Sequence, residues 1–358
     1  MPLFKKKYLF YVYIFFLIIV FFFNEFSTNI SLGKNFNIPK VKVEEKYDLN
    51  FDKSKVMDNA FDKAFKILIY KIVENADRAV LSEISINEIK SLIENFSISD
   101  EKFQNNKYIS QFNVQFNKKK IFNYLNKKNI IPSSPIDINT FILPILIDTG
   151  NNELYYLNQN IFYNNWNLDI KKYHLLNYIL PNEDIEDYAV IKKNIKNIEN
   201  YNFAEITSKY NLQNNIILII LKSESLLRVF SKIDFGKKKL LAHKIYKISN
   251  ISNDALINNI ILEIKENYED KWKSLNKINT SIELPIRISI DSKNIYLSRQ
   301  LENSLSSIDL VSSYQIEKFN NKEILYKIIF NSTPNRFLDI MFLNNFKVDT
   351  SKEIWRLQ

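Results

Sequence analysis

Hydrophobic and polar positions alternate along the chain with two different periods, and the changes of period mark out the elements. Loose alternation over Val41–Leu49 predicts a first strand. Val56, Ala60, Phe61, Ala64, Leu68 and Ile72 then recur at helical spacing, with Asp52 or Ser54 available to cap the start. A second helix is predicted over Ile86–Asn95, with Ile86, Ile89, Leu92 and Ile93 on one face. Phe96–Phe103 reads as a strand. Tyr108, Phe112, Val114 and Phe116 alternate with Gln111, Asn113 and Gln115, a period of two with aromatics inward. Lys118–Lys128 returns to a short amphipathic helix. This order predicts an α+β sandwich over residues 41–130, with its helices on one face.

Pro132 and Pro135 close that unit, and residues 136–276 read as an α/β unit. Thr140–Asp148 (TFILPILID) and Ile216–Leu221 (IILIIL) are apolar runs of the length of buried strands. Tyr155–Trp166 is aromatic and partly helical. Asn202–Tyr210 is a short helix. Leu226–Ile233 and Leu240–Ile248 form a hairpin around Asp234–Gly236. A helix from Asn253 to Leu275 completes the unit, with Ala255, Leu256, Ile260, Ile264 and Trp272 inward. Residues 279–358 follow the ferredoxin-like order β-α-β-β-α-β. Its strands are Ile282–Ile290, Asp309–Phe319, Ile324–Phe330 and Phe346–Leu357, expected as one four-stranded antiparallel sheet. Leu297, Leu301 and Leu305 face it from the first helix, and Phe337, Leu338 and Met341 from the second. Trp355 and Leu357 share the inward face of the closing strand.

The N-terminus has neither period. Tyr8–Phe23 is sixteen residues without a charge, preceded by Lys5, Lys6 and Lys7. As a helix it spans roughly 24 Å, between the lengths of a signal-peptide core and a full membrane span. The lysines hold the N-terminus inside, so the bulk of the chain is exported. No small-residue cleavage site follows Phe23, which favours a retained anchor over residues 1–26 and a polar tether over 27–40. The expected location is the inner membrane, single-pass, with the bulk in the periplasm; release to the periplasm after cleavage is the alternative.

The net charge of +9 adds little to this picture. Lysine, asparagine and isoleucine are abundant while glycine occurs three times, the mark of AT-rich codons. Lysines alternate with Asp and Glu through most elements, and only Lys118–Lys120 and Lys237–Lys239 form short runs; they read as solvated faces, with a patch for an anionic surface as the alternative, and no nucleic-acid partner is expected. Cysteine is absent, which excludes disulfides, a lipidated cysteine and thiol chemistry. Three glycines exclude a phosphate-cradling loop, and His174 and His243 read as packed or surface residues. No cofactor is expected.

The densest chemistry is Glu183, Asp184, Glu186 and Asp187. Such oxygen ligands can hold calcium or magnesium. The simpler reading is a helix start, with acidic residues at the positive dipole end and Asn182 as cap; removing the charges then costs little stability. Tyr155, Tyr156, Phe162, Tyr163 and Trp166 form either a sugar- or peptide-binding face or core packing.

In series, several stretches resemble an exported bacterial family catalogued as domain of unknown function 2066, in its long, three-part form. They are Ala60, Ala64 and Leu68, then Tyr108–Phe116 with Leu125, then Phe141–Ile147. Leu180–Pro181 with Asp184 and Asp187, Ala204–Tyr210 before Ile216–Leu221, Leu284–Pro285 and Trp355–Leu357 complete the series. The chain departs by lacking that family's glycines, notably in the helix-to-strand turn where Asn211 stands. The resemblance implies an envelope protein and assigns no reaction. Two functions remain: a non-enzymatic binding or assembly module with an envelope protein partner, or an envelope hydrolase or metal-dependent enzyme using Glu183–Asp187.

Overall fold

The computed structural model describes residues 36–168, 171, 173–236, 238–248, 254–279 and 281–358. The expected anchor, Tyr8–Phe23, lies outside them. Among the described residues no helix is long and apolar enough to cross a membrane. The fold is mixed α+β, with sheets of three, six and five strands.

The first unit runs β1 (Asn37–Lys46), α1 (Lys53–Ile72), α2 (Asn75–Arg78), α3 (Ile86–Leu92), β2 (Ile93–Gln104), β3 (Lys107–Phe116) and α4 (Lys118–Lys127). Its antiparallel sheet has the order β1-β3-β2. Asp52 caps α1 by accepting from the Ser54 amide, and all six apolar residues predicted for that helix are buried. Two boundaries differ from expectation. β1 begins at Asn37, inside the expected tether, because a bulge between Ile38 and Val41 turns both residues inward and hides the alternation. α3 stops at Leu92 and β2 starts at once at Ile93, so the helical spacing of Ile93 was coincidental.

Scarce glycine leaves the tight turns to asparagine. Asn105 and Asn106, between β2 and β3, have φ of 52° and 55°, the paired left-handed conformation of a two-residue hairpin turn. Asn129 and Asn345 take φ of 57° and 63° just past α4 and the last helix, where glycine usually ends a helix.

The middle unit runs β4 (Ile138–Asp148), β5 (Glu153–Tyr155), α5 (Ile161–Asn165), β6 (Leu176–Ile179), α6 (Ile185–Lys193), α7 (Ala204–Ser208), β7 (Asn214–Lys222), β8 (Leu226–Phe235), β9 (Lys238–Lys247) and α8 (Asp254–Leu275). The sheet order is β5-β4-β7-β8-β9, with β6 parallel to the start of β4. β4 and β7 are parallel neighbours, buried on both faces, as their unbroken apolar runs require. One face packs against α5 and α8, the other against α6 and α7. Ala255 is exposed, not inward, because the buried stripe of α8 runs through Ile257, Ile261 and Lys265 instead.

The third unit runs β10 (Leu284–Asp291), α9 (Ile295–Ser307), β11 (Val311–Phe319), β12 (Glu323–Phe330), α10 (Pro334–Leu343), β13 (Val348–Asp349) and β14 (Trp355–Leu357). Leu301, Leu305, Phe337 and Met341 are buried as predicted, while Leu297 and Leu338 are half-buried. The expected closing strand is broken in two. Its second piece, β14, enters beside β10 and runs parallel to it, pushing β13 to the edge. The sheet is therefore mixed and five-stranded, β11-β12-β10-β14-β13, instead of four-stranded and antiparallel.

The first and third units share one contiguous hydrophobic core. The chain leaves and re-enters that pair side by side: Ser133 bridges Lys277, the Ser133 amide donates to Ile72 O, and the Ile278 amide donates to Pro132 O. The middle unit is thus a loop-out from a two-sheet body, with its own two cores.

Candidate functional site

The acidic turn lies where α6 begins. Asp184, not Asn182, is the cap: its Oδ1 accepts from the Glu186 and Asp187 amides at 2.8 and 3.3 Å. The Asn182 amide instead donates to Tyr210 OH at 2.9 Å. Lys209, just past α7, places its Nζ 2.6 Å from Asp184 Oδ2 and 2.8 Å from Asp187 Oδ1. One ammonium therefore joins two carboxylates from the start of α6. Glu183 and Glu186 stay exposed and do not join them. Among the described residues no three His, Asp or Glu side chains converge as cation ligands.

Lys209 holds the Asp184 carboxyl below its usual range, and Asp184, then Asp187, holds the Lys209 ammonium above its own. Asp187 is buried, as is Tyr156 from the loop after β5. Burial, then the charge of Asp187, pushes the Tyr156 phenol well above its ordinary value. Asp187 Oδ2 and Tyr156 OH each lack a hydrogen-bond partner among the described residues. Tyr210 stacks on Phe141 of β4 with ring centroids 4.1 Å apart. Sequence reasoning does not bring Lys209 or Tyr210 to this turn, and it names Tyr156 only as part of the aromatic group. The signal available was only that a buried acidic turn needs a cation, and the lysine-rich composition offers many.

Asp184, Glu186 and Asp187 do begin a helix, but the burial of Asp187 gives these charges a larger expected stability cost than a solvated helix start carries. Asp184→Asn with Asp187→Asn is expected to lower the melting temperature by several degrees, since it removes both partners of Lys209 and weakens the cap. The sign with pH follows. Asp184 titrates lower folded than unfolded, so its contribution is full at neutral pH and is lost as pH falls below its ordinary 3.8. Thermal melts of wild type and double variant, with and without calcium or magnesium, check this. A cation-dependent rise in wild type that the variant lacks would instead assign the turn to a metal.

The aromatic group divides between the two faces of the sheet. Phe162 and Trp166 pack in one core with Tyr155 against it, while Tyr156 belongs to the other with Tyr163 against it. It offers no single binding face. His174 is buried and His243 is exposed on β9.

A second constellation lies on α8. Lys265, Glu269 and Lys273 stand four residues apart and all three are buried. Lys265 donates to Trp166 O at the end of α5, with its Nζ 5.5 Å above the Trp166 ring. Glu269 accepts from the Leu175 and Leu176 amides at 3.1 and 3.0 Å, and Lys273 donates to Val73 O at 3.2 Å. Each charge meets backbone that no helix or sheet satisfies. Arg78 of α2 lies within 3.8 Å of Glu266 and 3.7 Å of Asp270, so the same helix face also seats the first unit. The signal was present in the sequence: Ile257, Ile261, Lys265, Glu269 and Lys273 continue one stripe at spacing four.

No family model matches the chain, and no curated protein matches it.

Proposed function

We propose that this chain is a membrane-anchored, exported envelope protein that acts as a binding or assembly module. The charge-free run Tyr8–Phe23 behind Lys5–Lys7 supports the anchor and its direction. The observation that carries the module reading is β11. It is a nine-residue edge strand on which every residue after Val311 is exposed, including Tyr314, Ile316 and Phe319. Open edges of this kind accept a further strand from a partner. Membership of the exported family named above is part of the proposal. Asn211 supports it, with φ of 51° in the turn where that family carries glycine. The second reading, a hydrolase or divalent-metal enzyme at Glu183–Asp187, draws on the open valences of Asp187 Oδ2 and Tyr156 OH.

A phosphatase fused after Lys40 is expected to be active, because the fusion point lies beyond the exported end of the run. Activity only of a cytoplasmic reporter at that position would overturn the topology. A photo-crosslinking residue at Tyr314 is expected to trap one recurrent envelope protein in living cells. No adduct there, together with a cation-dependent hydrolytic activity lost in the Asp184/Asp187 double variant, would favour the enzyme.

A further inference from the structure

We infer that the free edge of β9, with the cavity beneath it, receives an extended acidic segment of a partner protein as an added strand. This deepens the binding-module reading by naming a surface and the chemistry of its ligand. β9 is the last strand of its sheet and pairs with β8 along all ten residues. Among the described residues nothing pairs with its other side.

Between β9 and α8 lies a cavity of about 260 Å³. Its apolar lining comes from Val229, Ala242, Tyr246 and Ile264, and the Ser231 hydroxyl and Tyr268 phenol are hydrogen-bonded to each other at 2.6 Å within it. That volume is below the roughly 300–1,000 Å³ of small-molecule sites and suits a side chain or two. Leu241 and Ile245, on the opposite face of β9, are 67% and 55% exposed. An added strand presents alternate side chains to the two faces, one set to the cavity and one to Leu241 and Ile245.

Charge selects the occupant. β9 contains Lys238, Lys239, Lys244 and Lys247 and no acidic residue, and Lys271 of α8 lines the cavity. Asp234 reaches Lys239 and Glu263 reaches Lys244. Lys238, Lys247 and Lys271 have no carboxylate partner among the described residues. A second copy of β9 would set lysines against lysines, the arrangement by which edge strands resist self-association. An acidic strand meets the same edge with attraction on both sides of the ladder.

The test is hydrogen exchange, read by mass spectrometry, on the full chain in zwitterionic nanodiscs. The probe is a capped ten-residue peptide in which pairs of glutamates alternate with pairs of valines, so that each face of the added strand carries both. Exchange over residues 238–247 is expected to slow when the peptide is added. Replacing its valines by alanine should weaken binding, and methylating alternate backbone nitrogens should abolish it. Lys238→Glu with Lys247→Glu, both on the surface, should weaken it about tenfold or more. Equal protection by the methylated peptide overturns strand addition. Protection by anionic nanodiscs without peptide assigns the edge to a lipid surface, and protection that rises with protein concentration assigns it to a second copy; either overturns the proposal. Protection of residues 311–319 alone also overturns it, while leaving the binding-module reading intact on β11.

Discussion

Deleting Lys352–Gln358 is expected to unfold the third unit and to loosen the first. Sequence reasoning alone confines the damage to the C-terminal unit; the structure extends it. β14 is an interior strand, held between β10 and β13, with Trp355 opposite Ile288 and Leu357 opposite Val348. Leu357 is buried, and the Trp355 ring lies 6.0 Å from that of Phe337. Removing one such side chain costs about 2–5 kcal/mol, and the deletion removes both and leaves β13 without a partner. That is a large fraction of the roughly 5–15 kcal/mol a domain holds. The damage spreads because the two units share a core and Lys118 of α4 reaches both Asp309 and Ile308 O. Limited proteolysis should find new cleavage at Lys277 and at Lys118–Lys120, with the middle unit resistant. If the truncated chain resists at Lys277 as well as the intact one, β14 holds nothing together. Cleavage at Lys277 alone would mean the shared core is only contact, without coupling.

Most of the element order was legible because each element carries its own periodicity. α1, β3, β7 and the β8–β9 hairpin need only local spacing, and their positions follow from it. The errors fall where a tertiary neighbour decides. The bulge in β1 breaks the period at Ile38 and Val41, and only the partner strand β3 makes that break favourable. The ferredoxin-like order places the closing strand beside the first, where β14 lies against β10, but no local pattern announces that the strand splits and that its second piece runs parallel to β10. The joining of first and third units is equally invisible, since both were complete as separate patterns. At the acidic turn the cap was legible in kind but not in residue: Asp184 took the place expected of Asn182 because its side chain also reaches Lys209. Asparagine at the left-handed positions shows the same limit from the other side. A chain with three glycines must place other residues there, and only the backbone reveals which.

Opposite outcomes are expected for two of the buried charges of α8, Glu269 and Lys273. Glu269→Leu leaves the Leu175 and Leu176 amides without an acceptor and takes a negative charge from beside Lys273. Each stranded amide costs about 1–3 kcal/mol, so a loss of about 3–5 kcal/mol follows. Lys273→Met forfeits one hydrogen bond to Val73 O but relieves a buried ammonium. Burial, reinforced by Arg78, pushes Lys273 down to about 8 from an ordinary 10.5. Between those values the unfolded chain holds the proton and the folded one does not, so this group makes stability rise with pH. The full rise is about 3 kcal/mol. Lys46, Lys53 and Lys222 are shifted upward by their carboxylate partners and act in the opposite sense, so the informative quantity is the difference between wild type and Lys273→Met. At pH 7 the variant should equal or exceed wild type in urea, followed by the fluorescence of Trp166 and Trp272. By pH 10 wild type should have gained most of that 3 kcal/mol relative to the variant. A difference that stays flat from pH 7 to 10 would mean that Val73 O and the neighbouring carboxylates already satisfy the ammonium where it is buried.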